Sequence, residues 1–427
     1  MTDVHQPHRV LAPRGVVGAH RGIQKVRNRS TAFRRKHFAA ATIREWNDWR
    51  WQLRSRIKDA STVGKILHLS DDERSAMERH DGVLPVGITP YYASLLDPDD
   101  PTQPLRKTVV MVGNEFVRSP EEQSDPLNED SDSPVPGLVH RYPDRVLFLV
   151  TGTCPVYCRY CTRSRMVGKP GGEYSFSTQQ WERAIAYIAA TPAVRDVLIS
   201  GGDPLVLSDE RIEWLLSRLR AIRHVEFLRI GTKVPPSLPQ RITRELARML
   251  KRYHPLYLSI HFSHPDELTP EASDACCRLA DAGIPLGSQT VLLAGVNDDA
   301  GTLRRLFHGL LKVRVKPYYL YQCDHVVGTS HFRVPVEKGL QLMRSLRGFT
   351  TGYAVPSFVI DAPGGGGKIP LLPNQRLERS GDHILLENFE GKIIPYPDPQ
   401  PPALTTITLR EPDRESSTEN LVQEIPA

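Results

Sequence analysis

Between Arg145 and Tyr321 six short, β-rich apolar runs alternate with helical patterns, and this alternation constrains the fold more than any other feature of the chain. The runs are Arg145–Thr151, Asp196–Ser200, Val225–Gly231, Leu256–Phe262, Pro285–Leu293 and Arg314–Tyr321. Helical periodicity occupies the stretches near 178–190, 208–222, 239–252, 267–283, 299–312 and 335–347. A strand followed by such a helix returns to a parallel neighbour through a right-handed crossover, so the pattern predicts an α/β fold. Six units fit a partial (β/α)6 barrel, open on one side, better than a closed eightfold one. Functional groups are then expected at the C-terminal strand ends.

The flanks read differently. Ile43–Ile57 is amphipathic, with Trp46, Trp49 and Leu53 near helical spacing, and shorter helical pieces follow to about Arg79. Residues 118–137, rich in Ser, Pro, Asp and Glu, read as a surface loop leading into the barrel. The segment 382–396 reads as a hairpin appended after it. The expected organisation is a basic, disordered tail (1–40), an N-terminal helical region with its linker (41–137), the barrel (138–350), a C-terminal extension (351–398) and a disordered Pro-, Thr- and Glu-rich tail (399–427).

Composition narrows the function. The 427 residues contain no run of 18 uninterrupted apolar positions and no signal-like start, so a membrane-spanning or exported protein is not expected. The net charge of +6 is local, because no Asp or Glu falls between Val4 and Arg44. That stretch reads as a solvated tail, with a nucleic-acid arm or a transit peptide as the alternatives. Beyond it the chain is nearly neutral, so an extended anionic partner is not indicated. Six cysteines are too few for a disulfide scaffold at this length; three of them lie within 154–161, which points to metal chemistry in a reducing, cytoplasmic compartment.

Those three form Cys154-Pro-Val-Tyr-Cys158-Arg-Tyr-Cys161, directly after the first barrel strand. Thiolates at C-x₃-C-x₂-C spacing can hold three irons of a [4Fe–4S] cube and leave the fourth open to a ligand. The alternatives are unrelated loop cysteines or a partial zinc site, for which a fourth ligand at a familiar spacing is missing. After the second strand comes Ser200-Gly201-Gly202-Asp203-Pro204, where missing side chains let backbone approach a ligand closely, or simply form a tight turn. The second distinctive motif is Asp361-Ala-Pro-Gly364-Gly365-Gly366-Gly367-Lys368. An amine after a glycine run suits a Schiff base with pyridoxal phosphate, a flexible linker being the alternative; the spacing is not that of a Walker loop.

The cysteine motif after the first strand of a partial barrel resembles the radical S-adenosylmethionine enzymes. The two motifs together resemble the lysine 2,3-aminomutase family. The resemblance runs from about Trp46 to Tyr396 through the blocks WNDWRWQL, HRYPDR, CTRSR, SGGDPL, LPQRIT, HFSHP, DAGIPLGSQ, VKPYYLYQCD, GTSHFRVP and NFEG. It implies that Cys154, Cys158 and Cys161 bind the cluster, and that S-adenosylmethionine lies near Gly201, Gly202, Asp203, His261 and Gln289. For His261 a satisfied core histidine is the alternative. It makes Lys368 the lysine that carries pyridoxal phosphate as an aldimine, with Arg141, Tyr142 and Arg145 beside that cofactor. Arg163 would bind the substrate α-carboxylate, and Asp324 and Asp361 its cationic far end. The implied activity is conversion of L-lysine to β-lysine, with L-arginine the nearest rival and glutamate disfavoured by the two aspartates. A one-electron reductant such as flavodoxin or ferredoxin and a homo-oligomeric state are implied as well. A non-catalytic iron–sulfur protein is the rival from another class.

Two departures from the family pattern stand out. Asp299 and the absence of any cysteine after Cys323 remove the family's structural zinc ligands, so zinc is not expected. Cys276 and Cys277, adjacent on a helix, read as packing residues. Thr232-Lys233-Val234-Pro235 stands where the family has Ser-Arg-Thr-Pro, which keeps the charge but loses the guanidinium fork.

Overall fold

The computed structural model describes residues 29–79, 84–168, 176–372, 378–380, 383–388 and 390–397. The expected basic tail up to residue 28 and the C-terminal tail lie outside them. Residues 29–37, counted with the tail on composition, are helical, and the Trp46 indole donates to Ser30 Oγ at 3.2 Å.

Among the described residues the main sheet has nine strands in sequence order. They are β1 (Leu138–Tyr142), β2 (Arg145–Leu149), β3 (Asp196–Ser200), β4 (Phe227–Thr232), β5 (Leu256–His261), β6 (Leu286–Leu292), β7 (Val315–Gln322), β8 (Ser357–Ala362) and β9 (Gly367–Leu371). β2 through β8 are all parallel, while β1 and β9 flank them antiparallel. The crossover helices are α1 (Thr178–Ala189), α2 (Asp209–Arg220), α3 (Arg244–Lys251), α4 (Pro270–Asp281), α5 (Ala300–Lys312) and α6 (Val336–Leu346). All six expected βα units are present, in a partial barrel. The composition-based boundary at 350 does not coincide with the end of the sheet, which continues through β8 and β9.

Local sequence starts these helices where the loops end. Ser177, Ser208, Thr243, Thr269 and Asp299 each cap a helix by accepting a backbone N–H from within its first turn. One core of Val, Leu, Ile and Phe from the strands and the inward helix faces joins the two layers. A second core lies under the N-terminal helices, around Tyr91, Tyr92, Leu105 and Met111. There Arg106 and Glu73 form a buried ion pair at 2.6 Å.

The chain divides into two compact units after Pro373. In the second, β10 (Glu378–Ser380), β11 (His383–Glu387) and β12 (Ile393–Pro397) form an antiparallel sheet that contains the expected hairpin.

Candidate active site

The barrel interior encloses a cavity of about 430 Å³. Lys368 reaches it because of strand register. β8 and β9 pair antiparallel with Asp361 directly opposite Lys368, and the glycine run between them is a hairpin turn. Gly364, Gly365 and Gly367 have φ of 66°, 92° and 77°, conformations that side-chain-bearing residues rarely adopt. A Cβ on Gly365 would collide with the Arg141 guanidinium, and one on Gly367 would lie 3.1 Å from the Tyr142 hydroxyl. The run therefore packs against β1, and the Lys368 backbone N–H donates to Tyr142 Oη at 2.9 Å across the seam between β1 and β9. Lys368 Nζ lies 2.8 Å from Asp361 Oδ1 and 5.5 Å from the centre of the Tyr321 ring.

Asp324 follows β7 and lines the same cavity, its carboxylate accepting from Thr162 Oγ1 at 2.6 Å. Burial pushes its carboxyl up to about 6, the Thr162 hydrogen bond and Lys368 offsetting part of the shift and the Asp361 and Glu129 charges adding to it. Arg163 also lines the cavity and is gripped by Glu129, with Nη2 at 2.7 Å from Oε1. Burial raises the Glu129 carboxyl, but Arg163 and Arg165 outweigh it and the net shift is downward. Arg141 is held by Asp132 and the Leu127 carbonyl. Gly364 N–H donates to the Pro126 carbonyl at 2.9 Å. The acidic stretch 118–137, read from composition as a surface loop, thus forms part of the cavity wall through Leu127 and Glu129.

The three cysteines lie on the loop after β2, at the C-terminal end of the barrel. They are outside the lining of the cavity, whereas Thr162 and Arg163, the next two residues, belong to it. The N-terminal region braces this loop. Tyr157 N–H donates to the Gly87 carbonyl and Arg159 N–H to the Thr108 carbonyl, each at 2.9 Å. Arg56 donates to the Cys154 carbonyl. Arg159 pairs with Glu115 and donates to the Leu84 carbonyl at 2.7 Å. Burial raises all three thiols, Cys161 to about 11, and the charge of neighbouring cysteines raises Cys154 and Cys161 further. Among the described residues no three His, Cys, Asp or Glu side chains converge as ligands of a single ion. A cube differs in that each thiolate holds its own iron, so the three thiols need not converge on a single ion.

Gly201 and Gly202 pack against this loop: a Cβ on either would strike the Thr151 or Thr153 carbonyl oxygen. Asp203 is buried and turned inward, accepting from Leu205 N–H at 3.1 Å, Thr232 Oγ1 at 2.8 Å and Lys233 N–H at 2.6 Å. The motif therefore sets the shape of the cysteine loop, and neither glycine nor Asp203 lines the cavity. His261 and Gln289 do line it, side by side in register on β5 and β6. Burial, then Lys233 and Arg163, push the His261 imidazole down to about 4, so it is neutral at physiological pH. Arg145 lines the cavity, pairs with Asp144 at 2.9 Å and lies 4.8 Å from the Tyr142 ring.

The divergent positions have roles of their own. Lys233 makes a buried pair with Glu267 at 2.6 Å. Asp299 caps α5. Cys276 is in the main core with Cys277 packed against it, and Cys323 is buried beside Leu293 and Phe332. Sequence reasoning missed Glu129, Glu115, Arg159 and Arg56. Arg159 alone carried a signal, a charged residue between two cysteines that the loop must place somewhere.

The donor set fits the groups that the motifs imply: an amine beside a carboxylate in an aromatic and cationic cavity, next to a braced loop of three thiols. Comparison with known proteins agrees. The family model described as the radical SAM superfamily matches residues 148–306, and the one described as lysine-2,3-aminomutase matches residues 343–421. L-lysine 2,3-aminomutase of Acetoanaerobium sticklandii is 52% identical over 85% of this chain and 87% of its own. The enzyme of that name from Clostridium subterminale is 51% identical over 83% and 85%. Glutamate 2,3-aminomutase of Clostridioides difficile is 43% identical over 84% of each chain. With matches of this identity and coverage, the chain belongs to the lysine 2,3-aminomutase family of radical S-adenosylmethionine enzymes.

Proposed function

We propose that this protein is an L-lysine 2,3-aminomutase that transfers the α-amino group of L-lysine to its β-carbon. The observation that carries the reading is the presence of Lys368, Asp324, Asp361 and Arg163 around one cavity, which supplies an amine, two carboxylates and a guanidinium to a single bound molecule. When bound, the [4Fe–4S] cluster with S-adenosylmethionine supplies hydrogen-abstracting radical chemistry, and pyridoxal phosphate supplies the carbonyl that carries the migrating nitrogen.

The chain's own residues do the rest. Cys154, Cys158 and Cys161 hold the cluster on a loop shaped by Gly201, Gly202 and Asp203, with His261 and Gln289 towards S-adenosylmethionine. Lys368 is the attachment point of pyridoxal phosphate; Arg141, Tyr142 and Arg145 stand on the neighbouring wall. Asp361 Oδ1, 2.8 Å from Lys368 Nζ, holds and orients that amine. Asp324 and Asp361 receive the substrate's distal ammonium, and Arg163 its α-carboxylate. Groups fixed on several barrel strands hold the reactants in one geometry.

A one-electron donor of flavodoxin or ferredoxin type, a homo-oligomeric state and a cytoplasmic setting complete the proposal. Among the described residues no helix is long and apolar enough to cross a membrane. Anaerobically reconstituted holoenzyme supplied with L-lysine, L-arginine or L-glutamate tests it. β-Lysine formation is expected; turnover of glutamate in preference to lysine would overturn the assignment, because two carboxylates face the side chain.

A further inference from the structure

Arg163 is held from one side only. Glu129, 4% exposed, accepts Arg163 Nε–H at 3.2 and 3.1 Å through its two oxygens and Nη2–H at 2.7 Å. Arg165 Nη2 shares the same carboxylate at 3.2 Å from Oε2. A guanidinium has two edges that a carboxylate can grip with paired hydrogen bonds, the Nε/Nη2 side and the Nη1/Nη2 end. Glu129 occupies the side edge. Among the described residues no hydrogen bond engages Nη1, and the side chain, 22% exposed, lines the cavity.

We infer that Glu129 is a positioning residue that locks the Arg163 guanidinium side-on, so that its Nη1/Nη2 edge is presented to the α-carboxylate of the amino-acid substrate. The inference rests on the reading of Arg163 given above. An unheld arginine would have to give up its rotamer freedom when substrate binds, and Glu129 removes that freedom beforehand. Arg165, itself paired with Asp125 and Asp130, also donates to Glu129, so the Glu129 carboxylate keeps a second cationic partner when Arg163 takes up the substrate carboxylate. Through Glu129 the acidic segment 118–137 therefore acts in substrate recognition.

The test compares L-lysine with L-lysinamide, which lacks the carboxylate, by titrating holoenzyme and following the pyridoxal absorbance. The wild-type protein should favour lysine over the amide by about tenfold or more, the worth of a charged hydrogen-bonded contact. Glu129→Gln should weaken lysine by about tenfold while leaving lysinamide unchanged, with KM for lysine rising more than kcat falls. If Glu129→Gln does not fold, Glu129→Asp, too short to reach both nitrogens, is read in the same way. Equal weakening of acid and amide would overturn the inference in favour of a general structural role. Tighter lysine binding would overturn it by showing that Glu129 competes with the substrate. A wild-type protein that does not distinguish lysine from lysinamide would instead remove the reading of Arg163 itself.

Discussion

Arg159 Nε lies 2.9 and 3.0 Å from the two carboxylate oxygens of Glu115, with side-chain exposures of 0% and 2%. One partner sits between Cys158 and Cys161 and the other in the N-terminal region, so this buried pair fastens the loop to its brace. Breaking such a pair by removing one partner costs about 3–5 kcal/mol, because the other charge stays buried. Glu115→Ala should therefore lower the denaturation midpoint and, before global unfolding, reduce iron and sulfide content. Wild-type cluster loading in this variant would show that the brace is not needed to hold the loop.

Gly201 has φ of 126°, and a side chain there would meet the Thr151 backbone. Backbone cannot move aside as the tip of a side chain can. Gly201→Ala should displace the cysteine loop and cut reductive cleavage of S-adenosylmethionine about tenfold or more, a loss typical of a misplaced reacting group. Unchanged cleavage would mean that the turn tolerates a Cβ and that its glycines are there only for chain reversal.

The parts of the fold legible in the sequence are those with strong periodicity. All six expected strands and helices are present, because alternating apolar runs and capped amphipathic segments leave few other ways to bury their faces. β8 escaped notice because Ser357–Ala362 ends in Asp-Ala and runs straight into Pro363 and the glycine run, which read as loop. The site divided along similar lines. Cysteines, glycines and Lys368 are informative by spacing, whereas Glu129 lies in a polar, proline-containing stretch whose composition reads as solvent-exposed. Its burial depends on two arginines more than 30 positions later, a relationship without local periodicity. The reason for Gly201 and Gly202 was only partly legible: their partner is the backbone of Thr151 and Thr153, as well as any ligand.

Metal content separates the cluster from a single-ion site. Cys158→Ala should leave the barrel folded, since the loop is not part of its core, and abolish S-adenosylmethionine cleavage. Reconstituted wild-type protein should hold iron and sulfide without stoichiometric zinc, because Asp299 stands in place of a cysteine and no cysteine follows Cys323. Zinc at about one per chain that survives chelation would reveal a ligand set outside these residues.

If Asp324 receives the substrate's distal ammonium as proposed, its carboxyl, pushed up to about 6 chiefly by burial, gives lysine binding a pH dependence of definite sign. Only the ionised carboxylate attracts the distal ammonium. Half-saturation by lysine should therefore rise about tenfold per pH unit below about 6 and level off above it. Stability runs the other way. A carboxyl whose folded pKa exceeds its unfolded one destabilises the fold as pH rises from about 4 to about 6, and fully above that. Asp324→Asn should thus stabilise the apoprotein at pH 7 while weakening lysine binding, and chemical denaturation at pH 4 and pH 7 checks both signs. A variant less stable at pH 7 would contradict the unfavourable ionisation of Asp324.

Asp324 and Asp361 differ in what else they hold, and this separates two roles for the pair. Asp324 is bound by Thr162, whereas Asp361 is paired across strands with Lys368. If both neutralise the substrate's distal cation, removing either leaves that charge underpaired, at a cost of up to about 3–5 kcal/mol, less whatever water recovers. Asp324→Asn and Asp361→Asn should each raise the lysine requirement by orders of magnitude, yet retain pyridoxal phosphate. If Asp361 serves only to hold Lys368 and the glycine hairpin, Asp361→Asn should instead lose pyridoxal phosphate while Asp324→Asn keeps it. Cofactor occupancy and lysine saturation measured on the same two variants distinguish these outcomes. Unchanged saturation by both lysine and arginine in both variants would remove the basis for a cationic substrate and leave only the reaction type.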